Sequence, residues 1–342
     1  MSNKLLAPLV LTCGEPAGIG IEIAAKGWAA LHHDASKCFF LICDTKDFEA
    51  RTRLANCSIP FEKIDHPQDA QKIFGTALPI LHRSFAARSQ PGVIALENSP
   101  MVIEMIAEAA RLCMAGKASG LVTCPINKDA LYSAGFKYQG HTDFLAGVAR
   151  EDGLQAHDVM MLVGGGLRAI PVTVHIPLAS VPAALTTSAI VEQGKIVAAS
   201  LTRYFGIASP RLAVTGLNPH AGENGAMGKE DQTIVAPAVA ALRAAGIAVQ
   251  GPLPADTAFH AEARAGYDAI LCMYHDQALI PVKTLDFHGG INVTLGLPFI
   301  RTSPDHGTAF GLAGKGTARA DSLIAAINLA AEMASTDVAP RA

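Results

Sequence analysis

Four of the twelve histidines lie in polar or turn-rich strings that directly follow apolar runs predicted to be strands. They are His141 in GHTDF, His175 in VTVHIPL, His220 in GLNPHAGENG and His275 in MYHDQ. Ligands of an open parallel sheet bind beyond the carboxyl ends of its strands, which is where these imidazoles are expected to lie. A single histidine at such a place is more often a hydrogen-bonded structural residue, although neutral imidazole is the commonest metal donor in proteins. Three in equivalent positions favour a metal site.

The spacing of these histidines indicates a metal site assembled from separate strands. The sequence contains neither an H-E-x-x-H motif nor a local cluster of cysteines and histidines. Three imidazoles leave coordination positions open, as a catalytic rather than a structural metal site requires. Asp256 in PLPADT and Asp276 beside His275 are able to orient imidazoles or to move a proton. Each aspartate is equally suited to stabilising a turn or capping a helix.

A second group of side chains is suited to binding anions. Lys283, Asn292 and Arg301 recur among glycines and apolar residues within the segment PVKTLDFHGGINVTLGLPFIRTS. Arginine binds phosphate or carboxylate with two parallel hydrogen bonds, lysine adds a point charge and asparagine a neutral donor. Lysine and arginine are usually solvated surface residues, but Arg301 follows the apolar run Leu-Pro-Phe-Ile, which favours a functional role.

Two glycine-rich segments follow predicted strands. The segment 14–27, GEPAGIGIEIAAKG, opens a predicted helix and would direct backbone N–H groups toward an anion. It matches neither the Rossmann fingerprint nor a Walker A sequence. The segment 302–316, TSPDHGTAFGLAGKG, has Asp305, His306 and Lys315 as its distinctive residues and, on composition alone, is interpreted as a connecting loop.

Short β-rich runs alternate with longer amphipathic stretches, the pattern of a mostly parallel sheet with crossover helices. The predicted strands are 9–13, 38–43, 78–82, 120–124, 159–163, 170–175, 211–215 and 269–273. The clearest predicted helices are 100–115, with Ser99 as its N-cap, and 318–335. Gly164, Gly165 and Gly166 join two of the strands and predict an antiparallel hairpin.

The length of 342 residues suits two α/β lobes around a cleft, because single hydrophobic cores stop growing at about 250–300 residues. Half of the residues are apolar and 17% are charged, so that both lobes have ample material for a core. No low-complexity tether separates the lobes. We expect the chain to cross between them near residues 125–130 and 295–305.

Charge and cysteine content exclude several classes of protein. The net charge is −3 and no basic block is present, which excludes the lysine and arginine stripe that neutralises a nucleic acid backbone. No apolar run reaches the roughly 18 residues of a membrane span, and the first apolar stretch is read as a buried strand. The seven cysteines are scattered without C-x-x-C pairs, typical of reduced core thiols. The sequence thus predicts a soluble cytoplasmic enzyme with neither a nucleic acid nor a membrane partner.

The motifs together resemble those of the 4-hydroxythreonine-4-phosphate dehydrogenases, the PdxA family of the pyridoxal phosphate pathway. The matching strings are GEPAGIG, CPINKDAL, GHTDF, VTVHIPL, GLNPHAGENGAMG, GPLPADT, MYHDQ and GGINVTLGLPFIRTSPDHGTA. They span nearly the whole chain and several are long, whereas residues 45–98 are less distinctive. The resemblance implies the fold of the isocitrate and isopropylmalate dehydrogenases, two α/β/α lobes around a cleft. The lobes would comprise 1–128 with 300–342 on the cofactor side, and 129–299 on the metal, substrate and dimer side.

The resemblance also implies roles for individual residues. The metal ligands would be His175, His220 and His275, and the substrate contacts would be His141, Thr142, Lys283, Asn292 and Arg301. The segment SPDHGTAFGLAGKG resembles the adenosine-binding loop of the superfamily, which reverses its interpretation as a plain connection. The cofactor contacts implied in this way are Asp305, His306 and Gly307, with Gly14, Glu15 and Gly18. The protons would be handled by Lys283, Asp256 or Asp276, among which the sequence does not choose.

The reaction implied is the NAD-dependent oxidation of 4-phosphooxy-L-threonine, with NADP as the alternative cofactor. A divalent metal, zinc, magnesium or cobalt, would bind the 3-hydroxyl oxygen as hydride leaves for NAD. The resulting 3-keto acid would lose carbon dioxide and give 3-amino-2-oxopropyl phosphate. The family works as a homodimer in which one histidine reaches the partner subunit's site.

Two rival functions are consistent with the same residues. Relatives that resemble this family oxidise phosphorylated threonate or erythronate, or cyclic diols, with the same fold and metal. The anion-binding residues argue for a phosphorylated substrate but do not require an amino group. A metal- or phosphate-binding protein without turnover is the alternative from another class.

Overall fold

The computed structural model describes residues 6–337, which contain twelve strands and twelve α-helices. The strands are β1 (Leu9–Thr12), β2 (Phe39–Cys43), β3 (Phe61–Ile64), β4 (Leu78–His82), β5 (Leu121–Thr123), β6 (Val159–Gly164), β7 (Leu167–Pro171), β8 (Arg211–Thr215), β9 (Ala248–Leu253), β10 (Ala269–Cys272), β11 (Ile291–Leu295) and β12 (Arg301–Pro304). The helices are α1 (Gly20–Leu31), α2 (Thr45–Leu54), α3 (Ala70–Ile73), α4 (Ser99–Met114), α5 (Lys128–Ser133), α6 (His141–Glu151), α7 (Val181–Ala184), α8 (Thr187–Phe205), α9 (Ala236–Ala244), α10 (Ala261–Arg264), α11 (His275–Leu285) and α12 (Asp321–Thr336).

The described chain divides into two compact units, 6–158 with 297–335 and 159–296 with 336–337. The sequence predicted a second lobe that begins at residue 129, whereas residues 129–158 cluster with the first unit. The chain returns to the first unit after residue 296. The predicted roles of the two lobes remain predictions.

The first unit contains a parallel sheet in the order β3-β4-β2-β1-β5-β12. Its central strands are continuous apolar runs, LVLT in β1 and FFLIC in β2, and every residue of both is buried. A parallel strand that is covered on both faces requires apolar side chains at every position. The α/β class predicted from the alternating pattern is therefore confirmed.

The second unit contains a mixed sheet in the order β11-β6-β7-β10-β8-β9. Strand β6 pairs antiparallel with both β7 and β11, and the remaining pairs are parallel. Gly165 and Gly166 connect β6 to β7 with φ of +55° and +77°. A two-residue turn of this kind needs positive φ at both positions, which glycine adopts without strain. The predicted hairpin is confirmed.

Several predicted boundaries were wrong. Strand 170–175 begins earlier and ends earlier, as Leu167–Pro171, because Ala169, Ile170 and Pro171 pair with β10. His175 therefore lies beyond the strand rather than at its end. Ser99 is the first helical residue of α4 instead of its N-cap, and the preceding Asn98 makes no side-chain capping bond to the helix. Strands β3, β9, β11 and β12 were not predicted.

The described cysteines are all free, and only Cys57 is not buried. Burial raises the pKa of the Cys38 thiol to about 12, and it also raises the pKa values of Cys113 and Cys124. Buried thiols of this kind are unreactive, because the thiolate is the nucleophilic form. Among residues 6–337, none of the helices combines the length and apolar composition needed to cross a lipid bilayer.

Candidate functional site

Arg301 begins β12 and is buried, with 3% of its surface exposed. Its Nη2 donates to the Thr123 hydroxyl at 2.7 Å, and Thr123 ends the neighbouring strand β5. Burial lowers the pKa of the guanidinium to about 9. A buried cation is costly unless an anion compensates it. The prediction that Arg301 is not a solvated surface residue is confirmed, and its surroundings suit an anion site.

His141 is the first residue of α6, not the end of a strand as predicted. The Asp143 carboxylate accepts from the Gly140 N–H at 2.8 Å and fixes the start of this helix. Within residues 6–337, the buried Nε2 atom of His141 has no hydrogen-bond partner. Burial, and then the cations Arg301 and Lys128, hold the pKa of His141 well below its usual range. The imidazole is therefore neutral at pH 7, and Thr142 follows it at the second helical position.

We expect His141 to make the stability of the protein depend on pH. Below about pH 6.5 the unfolded chain binds a proton at this imidazole, whereas the folded chain, with its depressed pKa, does not. The free energy of unfolding therefore falls as the pH falls, by up to about 1.4 kcal/mol per pH unit for this group. Urea unfolding at roughly pH 5 to 7 measures the slope, which His141→Gln is expected to reduce. The control is His66→Gln at an exposed position, and equal slopes for parent and His141→Gln contradict the prediction.

The first unit also brings together the two glycine-rich segments assigned to the cofactor. The Ile19 N–H donates to the Thr308 carbonyl at 3.1 Å, and a Cβ atom on Gly18 would lie 2.9 Å from the same oxygen. Gly18 therefore lies directly against the segment that carries Asp305, His306 and Gly307. A Cβ atom on Gly307 would meet nothing within 4 Å, so the space beside it is open.

The start of the first glycine-rich segment is tightly packed. A Cβ atom on Gly14 would lie 2.3 Å from the Pro125 carbonyl oxygen, and the φ of this residue is +69°. Both features exclude other residues at this position. Glu15 is buried and accepts from the Ala17 N–H at 3.0 Å. Burial raises the pKa of this carboxyl, against the opposing effect of that hydrogen bond and of Arg51.

A buried ion pair that sequence reasoning missed holds these segments in place. Arg51 of α2 lies 3.7 Å from Glu22 of α1 and donates to the carbonyls of Gly18 and Pro16 at 2.7 and 2.9 Å. The Glu22 carboxylate also accepts from the Gly314 N–H at 2.6 Å. The signal in the sequence was a single acidic residue inside the otherwise apolar run GIEIAA.

In the second unit, the imidazoles of His175 and His275 are neighbours, with ring centroids 5.5 Å apart. His275 is the first residue of α11, and its Nδ1 lies 2.7 Å from a carboxylate oxygen of Asp276. A carboxylate at Nδ1 leaves Nε2 with its lone pair available for a metal. Asp276 thus contacts the nitrogen through which it would orient His275, and this role remains a prediction.

His220 lies in the loop Pro219–Gly225, whose backbone is strained. Five consecutive residues, from 220 to 224, have positive φ, and only Gly222 among them is glycine. Each L-residue in the left-handed region costs about 1–2 kcal/mol, so surrounding contacts must hold the loop. The buried Asp231 carboxylate does so by accepting from the N–H groups of Leu217 and Asn218 at 2.7 and 3.1 Å. Asp231 begins a π-helical turn, a feature that is frequent at functional sites.

We expect Asp231→Ala to lower the free energy of unfolding by about 2–4 kcal/mol, because it leaves backbone donors without an acceptor. Turnover should fall as well, since the loop that carries His220 loses its anchor. Glu230→Ala is the matched control, because Glu230 contacts the Asn218 side chain at 2.9 Å but is not the acceptor for these two backbone donors. Urea unfolding compares the two variants, and equal stabilities contradict the anchoring role.

The remaining predicted residues of the second unit lie on different elements. Lys283 lies on α11 two turns after His275, and its amine is 5.6 Å from the Phe287 ring. Asn292 lies on β11, and within the described chain its buried Oδ1 has no hydrogen-bond partner. Asp256 is exposed on the turn Ala255–Thr257, which contacts the loop Pro219–Gly225. Lys283 therefore lies on the same helix as His275, and Asp256 lies on a turn beside the loop of His220.

The donor chemistry of the three histidines suits a metal, but the described part of one chain does not assemble them. Among residues 6–337, no group of three or more His, Cys, Asp or Glu side chains is arranged to hold a metal ion. His175 and His275 are adjacent, whereas His220 does not complete a triad with them. The ligand set of His175, His220 and His275 remains a prediction.

Similar proteins were identified by sequence and by structure. Residues 35–330 match the model of the family described as pyridoxal phosphate biosynthetic protein PdxA. A 4-hydroxythreonine-4-phosphate dehydrogenase of Caulobacter vibrioides is 51% identical over 96% of this chain and 97% of its own. The crystal structure of a 4-hydroxythreonine-4-phosphate dehydrogenase from Klebsiella pneumoniae matches with a TM-score of 0.85 and 36% identity, over 96% of this chain and 99% of that one.

A second type of dehydrogenase is also similar. A terephthalate 1,2-cis-dihydrodiol dehydrogenase from Burkholderia xenovorans LB400 matches with a TM-score of 0.64 and 28% identity, over 96% of this chain and 98% of that one. The structural matches confirm the predicted isocitrate and isopropylmalate dehydrogenase-like α/β fold.

Proposed function

The chain belongs to the PdxA family of pyridoxal phosphate biosynthetic proteins, and from that premise we propose that it oxidises 4-hydroxythreonine-4-phosphate with NAD. The carbon that bears the secondary hydroxyl loses a hydride to NAD, and the hydroxyl loses its proton to the protein. The 3-keto acid that forms loses carbon dioxide, and the carbon that carried the carboxylate takes up a proton to give 3-amino-2-oxopropyl phosphate. The observation that carries the proposal is the buried Arg301 beside neutral His141, an environment that suits a phosphorylated rather than an uncharged substrate.

We propose that the substrate is held by His141, Thr142, Lys283, Asn292 and Arg301. Arg301 supplies the buried charge, and its hydroxyl partner Thr123 holds the guanidinium in one orientation. Neutral His141 contributes hydrogen bonding without adding a second buried charge, which lowers the desolvation cost of the anion site. Asn292 offers a buried amide oxygen, which suits a substrate hydroxyl or ammonium donor.

We propose His175, His220 and His275 as ligands of one divalent metal, with one histidine supplied across a homodimer. When bound, zinc, magnesium or cobalt acts as a Lewis acid toward substrate oxygen atoms. Asp276 orients His275 through its contact with Nδ1. Exposed apolar side chains near these ligands support a second copy, since Ile280 and Phe287 are 64% and 70% exposed.

The cofactor is proposed to bind at Gly14, Glu15 and Gly18 together with Asp305, His306 and Gly307. NAD supplies the hydride acceptor, and NADP is the alternative. The contact of Gly18 with Thr308 and the open space beside Gly307 support this placement. The Glu22–Arg51 pair keeps both segments rigid, which reduces the entropy lost when a ligand binds.

Lys283, Asp256 and Asp276 are the proposed proton carriers. Lys283 follows His275 by two turns of the same helix, which supports this role. Asp256 lies on a turn that contacts the loop of His220. Asp276 is engaged with His275, which favours an orienting role for it and leaves Lys283 and Asp256 for the proton. The reaction is proposed to take place in the cytoplasm, where reduced thiols such as those of this chain persist.

A substrate panel tests the proposal. The purified protein is assayed for NADH and NADPH appearance with 4-hydroxythreonine-4-phosphate, phosphorylated threonate, phosphorylated erythronate and a cyclic cis-diol, with and without a chelator. We expect turnover with 4-hydroxythreonine-4-phosphate and NAD that the chelator abolishes and added divalent metal restores. Faster turnover of a phosphorylated threonate or erythronate would reassign the substrate. Binding without turnover of any compound would instead support a non-catalytic metal- or phosphate-binding protein.

A further inference from the structure

Lys128 lies in the string CPINKDAL but is not among the proposed substrate contacts. It is the first residue of α5, four positions after the buried Cys124. The Asn127 side chain accepts from the Ala130 N–H at 2.8 Å and caps this helix. The cap fixes the position from which the lysine side chain extends.

The amine of Lys128 lies against the start of α6. A Cβ atom on Gly140 would be 3.7 Å from Cε and 3.9 Å from Nζ of Lys128. Gly140 is the N-cap of α6, and His141 is its first residue. The N-terminus of a helix carries partial positive charge, so a cation placed there is destabilising unless an anion joins it.

The amine of Lys128 is exposed and adds its positive charge to the N-terminus of α6. Within residues 6–337, Lys128 forms no ion pair, although Asp129 follows it in the sequence and is exposed. The Asp143 carboxylate, the nearest acidic group of α6 in sequence, is occupied by the backbone N–H groups of Gln139 and Gly140. Lys128 and the N-terminus of α6 thus lie next to His141, whose buried Nε2 has no hydrogen-bond partner among residues 6–337, and the charge of Arg301 also acts on this imidazole.

We propose that Lys128 is a further substrate-binding residue, and that it binds the phosphate group together with His141 and Arg301 at the N-terminus of α6. This inference rests on the proposed function, because it assumes a phosphorylated substrate. It assigns the phosphate to the first unit, which leaves Lys283 available as a proton carrier. Both cations act on His141, whose pKa they lower, as expected for three groups that share one anion.

The test compares Lys128→Met and Lys128→Arg with the parent protein in the presence of Mg²⁺. Lys137→Met is the matched control, because Lys137 is exposed in the connection between α5 and α6 and is not among the charges that lower the pKa of His141. The dissociation constant for 4-hydroxythreonine-4-phosphate is measured by calorimetry without NAD, followed by KM and kcat. We expect Lys128→Met to raise the dissociation constant about 10- to 100-fold and KM more than it lowers kcat. Lys128→Arg should restore most of the affinity.

A second measurement uses inorganic phosphate and needs no turnover. Phosphate is titrated into protein with ¹³Cε1-labelled histidine, and the His141 resonance is followed by NMR. We expect phosphate to perturb this resonance in the parent and in Lys137→Met. In Lys128→Met, the same perturbation should require at least about tenfold more phosphate. An unchanged phosphate titration together with unchanged substrate affinity overturns the inference. A loss of NAD affinity alone also overturns it, because the lysine would then serve the cofactor's pyrophosphate.

The two readouts separate this inference from the proposed function. If the parent protein neither binds nor oxidises 4-hydroxythreonine-4-phosphate, the proposed function fails. The phosphate titration then still decides whether Lys128, His141 and Arg301 form one anion site. If the parent oxidises the substrate and Lys128→Met behaves like Lys137→Met in both measurements, only the role of Lys128 fails.

Discussion

Replacing His275 with alanine is expected to lower kcat/KM by at least about a thousandfold, because the proposed metal loses a ligand that contributes several kcal/mol to the transition state. The fold should survive, since the side chain is 31% exposed and its partner Asp276 is 70% exposed. Removing it therefore leaves no buried charge unpaired. The measurements are steady-state NADH formation from 4-hydroxythreonine-4-phosphate and the metal content of the purified protein.

His288→Ala is the matched control for this variant. His288 is exposed and lies just beyond α11, so that its loss removes an imidazole from the same region without removing a proposed ligand. Circular dichroism and thermal unfolding check that both variants are folded. Full activity and unchanged metal content in His275→Ala would show that this imidazole is structural and would remove the main support for the metal site.

Replacing Arg301 with alanine is expected to raise KM for the phosphorylated substrate by a factor between about 30 and several thousand. The loss of a buried anion-binding charge costs about 2–5 kcal/mol when its partner stays in place. The cost is large here because the guanidinium is almost fully buried, so that water does not compete with the anion for its N–H groups. Steady-state kinetics with varied substrate at saturating NAD give KM and kcat separately.

Thr123→Val provides a graded companion to that variant. It keeps the shape of the side chain but removes the oxygen that accepts from Arg301 Nη2 at 2.7 Å. We expect an increase in KM of about 10- to 100-fold, smaller than for Arg301→Ala, because the charge remains while its orientation is lost. Arg319→Ala at an exposed ion pair is the control. An unchanged KM in both Arg301→Ala and Thr123→Val would show that Arg301 is a structural residue.

The sequence predicted those parts of the fold whose side-chain pattern is dominated by burial. β4 and β8 were predicted with the observed bounds, and α4 differs by one residue at each end. Continuous apolar runs and helical periodicity are strong signals because the buried faces tolerate few polar residues. The hairpin was equally clear, since few residues other than glycine adopt two successive positive φ values.

Elements whose burial depends on distant partners were missed. β12 reads RTSP and looks like a polar loop, yet all four residues are buried. Thr302 donates to the Ala326 carbonyl at 2.9 Å and pairs with Val122 of β5, so its polar groups are satisfied by segments far away in the sequence. β9 contains Gly251 and Pro252 and lies at the edge of its sheet, where proline is tolerated because no N–H is required.

By itself, the sequence determined the α/β class, the family and the identity of the candidate residues, because these depend on side-chain type and local pattern. Only the tertiary structure decided how the residues are grouped. It placed Lys128 beside the start of α6 and joined Thr123 to Arg301 across 178 positions of the chain. It also showed His175 beside His275, and His220 held on a left-handed loop by Asp231. Pairings of this kind follow from strand order and backbone geometry, which no short window of residues encodes.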